Sequence, residues 1–225
     1  GNSIVINHNA SSGETQKALS LSSNLTLNDV TLTINGHPGD NGTHIGDGIE
    51  IYDAELAIVN GSKVTLDGVK NAMVMPGGAD AKVTVKDSEF TLNDIGGNGS
   101  NGGTYVFNNA DINVDGCDSY GFSVYTMTTS GNTTIDISHT SFSAIYGHTK
   151  LDFGGNTVVN VSNCGKGMPS GAEQWGYRDA PIQLRRGPDG AESINIGENA
   201  VINITGCTDK DGNSINNIYV VAGTT

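Results

Sequence analysis

One short template recurs along the whole chain and restricts its fold more than any other feature: apolar, any, apolar, then a turn pair rich in Asn and Asp. Its nine copies are IVINHN from Ile4, LTINGH from Leu32, VTLDGV from Val64, FTLNDI from Phe90, INVDGC from Ile112, IDISHT from Ile135, VNVSNC from Val159, IQLRRG from Ile182 and INITGC from Ile202. Eight of them are preceded, seven or eight positions upstream, by a second apolar pair, from Leu25 with Leu27 through Tyr105 with Phe107 to Trp175 with Tyr177 and Ile194 with Ile196. Alternation of period two places successive side chains on opposite faces of a strand. Strands of a sandwich need not share one template. Two columns kept at a fixed offset instead specify coils that stack on one another at about 4.8 Å. The expected fold is all-β: a single-stranded parallel β-helix (β-solenoid) of about nine coils, three-faced and with loop insertions, right-handed by the general preference of parallel crossovers. One domain is expected over residues 1–225, cut from a longer protein.

Composition fits a thin-cored solenoid. Of 225 residues 32 are Gly, without a collagen period, and only 36% are hydrophobic. The formal net charge of −13 disfavours nucleic acid and anionic lipid as partners, and no apolar run is long enough to span a membrane. Many Gly and Asn fall in one corner: Asn35-Gly36, Asp67-Gly68, Asn93-Asp94, Asp115-Gly116, Ser162-Asn163 and Thr205-Gly206. Gly and Asn reach positive φ at little cost, so the second member of each pair is expected to be left-handed. Cys117, Cys164 and Cys207 occupy one inward column, five residues after a copy begins. Thr140 and Gly187 fall between them in the template, which leaves each pair two coils, about 10 Å, apart. Disulfides need Cα atoms within about 7 Å, so three buried free thiols are expected.

Departures from the template mark candidate sites. The largest is the insertion GKGMPSGAEQ followed by WGYRDAPIQLRRG, which holds the only Trp and all three Arg. Trp175, Tyr177, Arg178, Arg185 and Arg186 make a candidate ligand-binding set, with aromatic faces for a sugar or peptide and guanidinium forks for a carboxylate. Arg186 stands where other copies carry Gly, Asn or Asp. The competing reading packs Trp175 and Tyr177 inward and pairs the Arg residues with Asp179 and Asp189. Asp40 and Asp47 in NGHPGDNGTHIGDG, and Asp209 and Asp211 in TDKDGN, are calcium candidates, although neither segment matches the full EF-hand loop. No cofactor is expected otherwise. GGNGSNGG, residues 96–103, reads as a solvent loop. Outward Thr33, Thr65 and Thr91 stack, but their column continues into Asn113, Asp136 and Asn160, too irregular for an ice-binding face.

By coil pattern and composition, over nearly its whole length, the chain resembles the pectin-lyase-like right-handed parallel β-helix, and in particular the β-helical modules of bacterial surface adhesins. The resemblance implies an extracellular, cell-surface location, a host or matrix glycan or glycoprotein as partner, and neighbouring domains in the same parent chain, with no direct membrane insertion. Because related folds cleave acidic polysaccharides, the alternative is a lyase, a hydrolase or a carbohydrate-binding module. Outward Asp111, Asp136 and Asp152 are raw material for acid/base cleavage. The Asp-Asp pair, Gly-His-Gly and Arg-x-Lys elements of polygalacturonase-like enzymes are absent, so a non-catalytic role is expected.

Overall fold

The computed structural model describes residues 1–9, 16–38, 44–76, 78–168, 180–185 and 193–220. Their strands wind into a parallel β-solenoid with three stacked columns, referred to as faces I, II and III. Face I stacks Asn2–Asn7, Val30–Asn35, Lys63–Asp67, Glu89–Ile95, Asp111–Cys117, Thr134–Thr140, Val158–Ser162 and Val201–Thr205, every neighbour parallel and in register. Face III follows the second apolar pair: Leu25, Leu56, Val83, Tyr105, Met127, Leu151 and Ile194 are successive partners. Face II lies between them in each coil, from Lys17–Leu21 and Asp47–Ile51 to Ile182–Leu184 and Ile218–Val220.

Eight of the nine template copies form face I. The exception is Ile182, whose strand pairs with Ile145–Phe153 and Ile218–Val220 on face II. On face I, Val159 pairs directly with Ile202, and on face III, Leu151 pairs directly with Ile194. The expected coil at 165–190 is therefore not a separate rung. An apolar-any-apolar triplet occurs on every face, so IQL satisfies the template while lying one face away. The solenoid makes fewer turns than the nine expected, with eight strands stacked on face I. At the first rung the inward Ile4 is 46% exposed, since among the described residues no strand stacks beyond Asn2–Asn7.

The expected left-handed corner is present. Gly68, Asp94, Gly116, His139, Asn163 and Gly206 all have positive φ, whereas Gly36 does not. A second left-handed column, at the corner from face III to face I, holds Asp29, Asn60, Asp87, Asn109, Gly131 and Gly155. Side chains link its rungs: Asn109 Nδ2 donates to Asp87 Oδ1 at 3.0 Å, and Asn109 Oδ1 accepts the Asn132 N–H at 2.9 Å.

Residues 96–103 are not a solvent loop. Ser100–Asn101 is a face II strand, and buried Ser100 bonds the Tyr105 hydroxyl at 2.6 Å. The glycines serve close packing, since a Cβ on Gly99 would collide with the carbonyl oxygen of Gly121. Inside the coils, Tyr105, Phe107 and Phe122 meet edge to face at centroid distances of 5.4 to 6.0 Å, all fully buried.

In two coils faces II and III merge, because Phe122–Ser130 and Ile145–Phe153 each run through both as one strand. Val124 pairs with Gly147 but Thr126 pairs with Lys150, so His148 and Thr149 together oppose Tyr125. Such a bulge redirects side chains at the surface.

Candidate functional site

The outer side of face II carries a strip of rings at these two coils. Tyr120 stacks on Phe142 at 5.4 Å and 28°, and lies against Tyr146 at 5.2 Å. Tyr146 meets His148 edge to face at 4.9 Å, and His148 leans on Tyr125 at 5.3 Å. The strip thus crosses face II from its entering corner to the bulge. Its members come from distinct local causes. Tyr120 continues a polar corner ladder in which Asn71 Nδ2 donates to Asp47 Oδ1, Asn98 N–H donates to Asn71 Oδ1, and Tyr120 N–H donates to Asn98 Oδ1. Tyr146 occupies the outward register, in the column of Ser123, Gln183 and Tyr219. His148 and Tyr125 are turned outward by the bulge.

The interplanar angle changes from 28° at one end to 88° between Tyr146 and His148, so the rings do not form one closed stack. Tyr125 is exposed, Tyr120, Phe142 and His148 are half-buried, and Tyr146 is buried. Burial, and after it the neighbouring Arg185 charge, holds His148 below the usual imidazole range. The imidazole is therefore neutral near pH 7, which suits a ring that packs rather than one that binds an anion. Ser123 Oγ lies 3.4 Å from His148 Nε2.

Of the expected aromatic and basic set, only Arg185 lies within the described residues; Trp175, Tyr177, Arg178 and Arg186 lie outside them. Arg185 is exposed, and its N–H donates to the Gly147 carbonyl at 2.8 Å, which places it beside the strip. The corner column passes directly from Asn163 to Gly206, with the pairing of Ser162 and Thr205 and no rung between them. Sequence reading missed the strip itself because its rings come from a corner, an outward register and a bulge, and share no template position. The usable signal was the spacing of Tyr120, Tyr125, Phe142, Tyr146 and His148, five rings within two consecutive coils.

The acidic candidates are engaged by their neighbours. Asp47 is buried against Asn71. Asp209 accepts the N–H groups of Asp211 and Asn213 and the Asn213 side-chain amide, bonds that hold its carboxyl below the usual range. Its role is to close a turn. Asp211 lies 4.0 Å from Lys210, and Asp40 lies outside the described residues. Among the described residues no three His, Cys, Asp or Glu side chains converge as a metal-ligand set. Asp111, Asp136 and Asp152 are not brought together: Asp111 begins a face I strand, Asp136 lies mid-strand on that face, and Asp152 lies on face III. A shallow depression of about 150 Å³ at the second corner holds other carboxylates, Asp87, Glu89 and Asp111, on adjacent rungs, and Glu89 is already paired with Lys63 at 2.7 Å.

Comparison with family models, curated proteins and solved structures finds no match.

Proposed function

We propose that this chain is a non-catalytic, extracellular binding module that holds a host or matrix glycan against the ring strip of face II, in the manner of the β-helical module of a surface adhesin. The observation that carries this reading is the strip, five rings in contact from Phe142 to Tyr125 on a rigid parallel sheet. The apolar C–H faces of pyranose rings pack on aromatic faces, and a preformed platform loses little conformational freedom when it binds. The exposed Tyr125 adds a hydroxyl group at the wet edge of the strip. Arg185 supplies a guanidinium beside the strip for the carboxylate of an acidic sugar. A net charge of −13 opposes non-specific attachment to polyanions, so the acidic groups of the ligand are few or are placed at Arg185. The surface-adhesin setting rests on the coil pattern and its resemblance to such modules.

A glycan array probed with the whole chain tests the reading, followed by titration of the retained sugars. Wild-type protein is expected to retain a defined glycan subset, Tyr125→Ala and Arg185→Ala to weaken it, and Asp136→Ala, on face I, to leave it intact. Absence of any retained glycan, or equal binding by all variants, refutes the strip as a binding surface. Release of oligosaccharides from a uronate polymer replaces the reading with the enzymatic alternative.

A further inference from the structure

Cys164 and Cys207 stand on adjacent rungs. The expected separation by two coils disappears because Ile182–Leu184 belongs to face II, and Ser162 pairs directly with Thr205. Two residues beyond that pair, both thiols point into the core, and the Cys164 N–H donates to Cys207 Sγ at 3.4 Å. Neighbouring strands lie about 4.8 Å apart, inside the roughly 4.4–6.8 Å that disulfides span between Cα atoms. Cys117 lies in the same column, but its pairing partner is Thr140, which separates it from Cys164. We infer that Cys164 and Cys207 are a disulfide-forming pair that pins the rungs on either side of the insertion, and that Cys117 remains a thiol.

The pair spans 43 residues, a segment that contains the inserted Trp, Tyr and Arg residues. A bond there fixes the two rungs from which that segment leaves and to which it returns. The chemistry needs a disulfide oxidant such as oxidised glutathione. The Cys164 thiolate attacks one sulfur of the oxidant, releasing one glutathione thiolate and leaving a mixed disulfide. The Cys207 thiolate then attacks the Cys164 sulfur and releases the second glutathione. Two protons and two electrons pass from the cysteines to the oxidant, which ends as two thiols. The same balance holds with the two cysteines exchanged, since each lies on the rung beside the other. Burial pushes Cys117 up to about 12, which keeps it protonated and unreactive.

The test refolds the whole chain from denaturant in a glutathione redox buffer, so that burial does not limit access, then unfolds it again in the presence of an alkylating agent, digests it and maps the peptides without reduction. The expected product is a linked peptide pair containing Cys164 and Cys207, with Cys117 alkylated. Cys207→Ser is expected to lose the link and to accumulate glutathione on Cys164. Three fully alkylated cysteines in the wild type, or a link through Cys117, overturns the inference. Cys117→Ala is expected to form the same link as wild type, and its failure to do so also counts against the assignment.

Discussion

Asn109 is a test of why the corners are made of Asn, Asp and Gly. Its φ is +48°, its amide donates to Asp87, and its carbonyl oxygen accepts from the Asn132 backbone. Replacement by Gly removes two exposed hydrogen bonds, at about 0.5 kcal/mol each at the lower end of the usual range, and adds unfolded-chain entropy of about 0.4–1 kcal/mol. Replacement by Ala removes the same bonds and keeps a Cβ in left-handed backbone, about 1–2 kcal/mol less favourable there than Gly, now without the local hydrogen bonds by which Asn offsets that cost. Both variants are therefore destabilised, and Asn109→Ala is expected to be worse than Asn109→Gly by about 1 kcal/mol, which moves Tm by about 2–4 °C in a chain of this size. The order is the diagnostic. At an ordinary strand position Gly is worse than Ala by about 0.5–1 kcal/mol, so Val106, outward on the neighbouring strand Thr104–Asn108, is expected to show the reverse order. Urea unfolding followed by far-UV circular dichroism reads both pairs. Equal or greater stability of Asn109→Ala over Asn109→Gly refutes the left-handed corner as the reason for the composition.

Phe122→Ala empties the middle of the edge-to-face cluster and is expected to cost about 3–5 kcal/mol, seen as a large fall in the urea midpoint; a loss below about 1 kcal/mol contradicts the packing. The Thr84 hydroxyl, and then Lys82, holds the Glu55 carboxyl below its usual value near 4.5. A depressed folded pKa gives stability that is present above that value and lost as pH falls through the folded pKa, so Glu55→Gln is expected to flatten the decline of Tm below about pH 4.5. Exposure divides the ring strip: Tyr125, 37% exposed, is expected to weaken glycan binding about tenfold on replacement by Ala with little change in Tm, whereas Tyr146, 4% exposed, loses both. Titration of a retained glycan, run beside thermal melts, separates the two; a matching loss of Tm in Tyr125→Ala contradicts the surface role.

Faces I and III were legible because their inward residues repeat at constant offset, and the partners observed for Leu32, Val64, Phe90 and Ile112 follow that offset. Face II was not legible. Its strands are as short as Met73–Val74 and Ser100–Asn101, two residues each, too few to show a period. Ile182 was consequently placed on the wrong face, and with it the thiol spacing was doubled. The Gly-rich run at 96–103 misled for a related reason: composition marks where backbone needs freedom, but not whether that freedom serves solvent exposure or close packing, as at Gly99. The ring strip depends on a bulge between Val124 and Thr126, a feature with no residue signature of its own.

The location of the strip follows from what the other faces do with their polar groups. On face I, Asn203 donates to Asn160 and Asn160 donates to Asp136, so each outward amide is engaged by the next rung. On face III, Asn195 donates to Asp152, which also pairs with Lys150 at 2.8 Å. A ligand approaching either ladder must break hydrogen bonds between rungs to form its own, and the exchange yields little net free energy. Rings differ in this respect: stacking one on another leaves hydroxyl groups and ring edges available, and covering them removes apolar surface from water without breaking a ladder. A solenoid whose polar columns stabilise the rod is therefore left with binding capacity mainly where the columns are interrupted. In this chain the columns are interrupted where the Asn ladder of Asp47, Asn71 and Asn98 gives way to Tyr120 and where faces II and III fuse, and both interruptions fall on the same two coils.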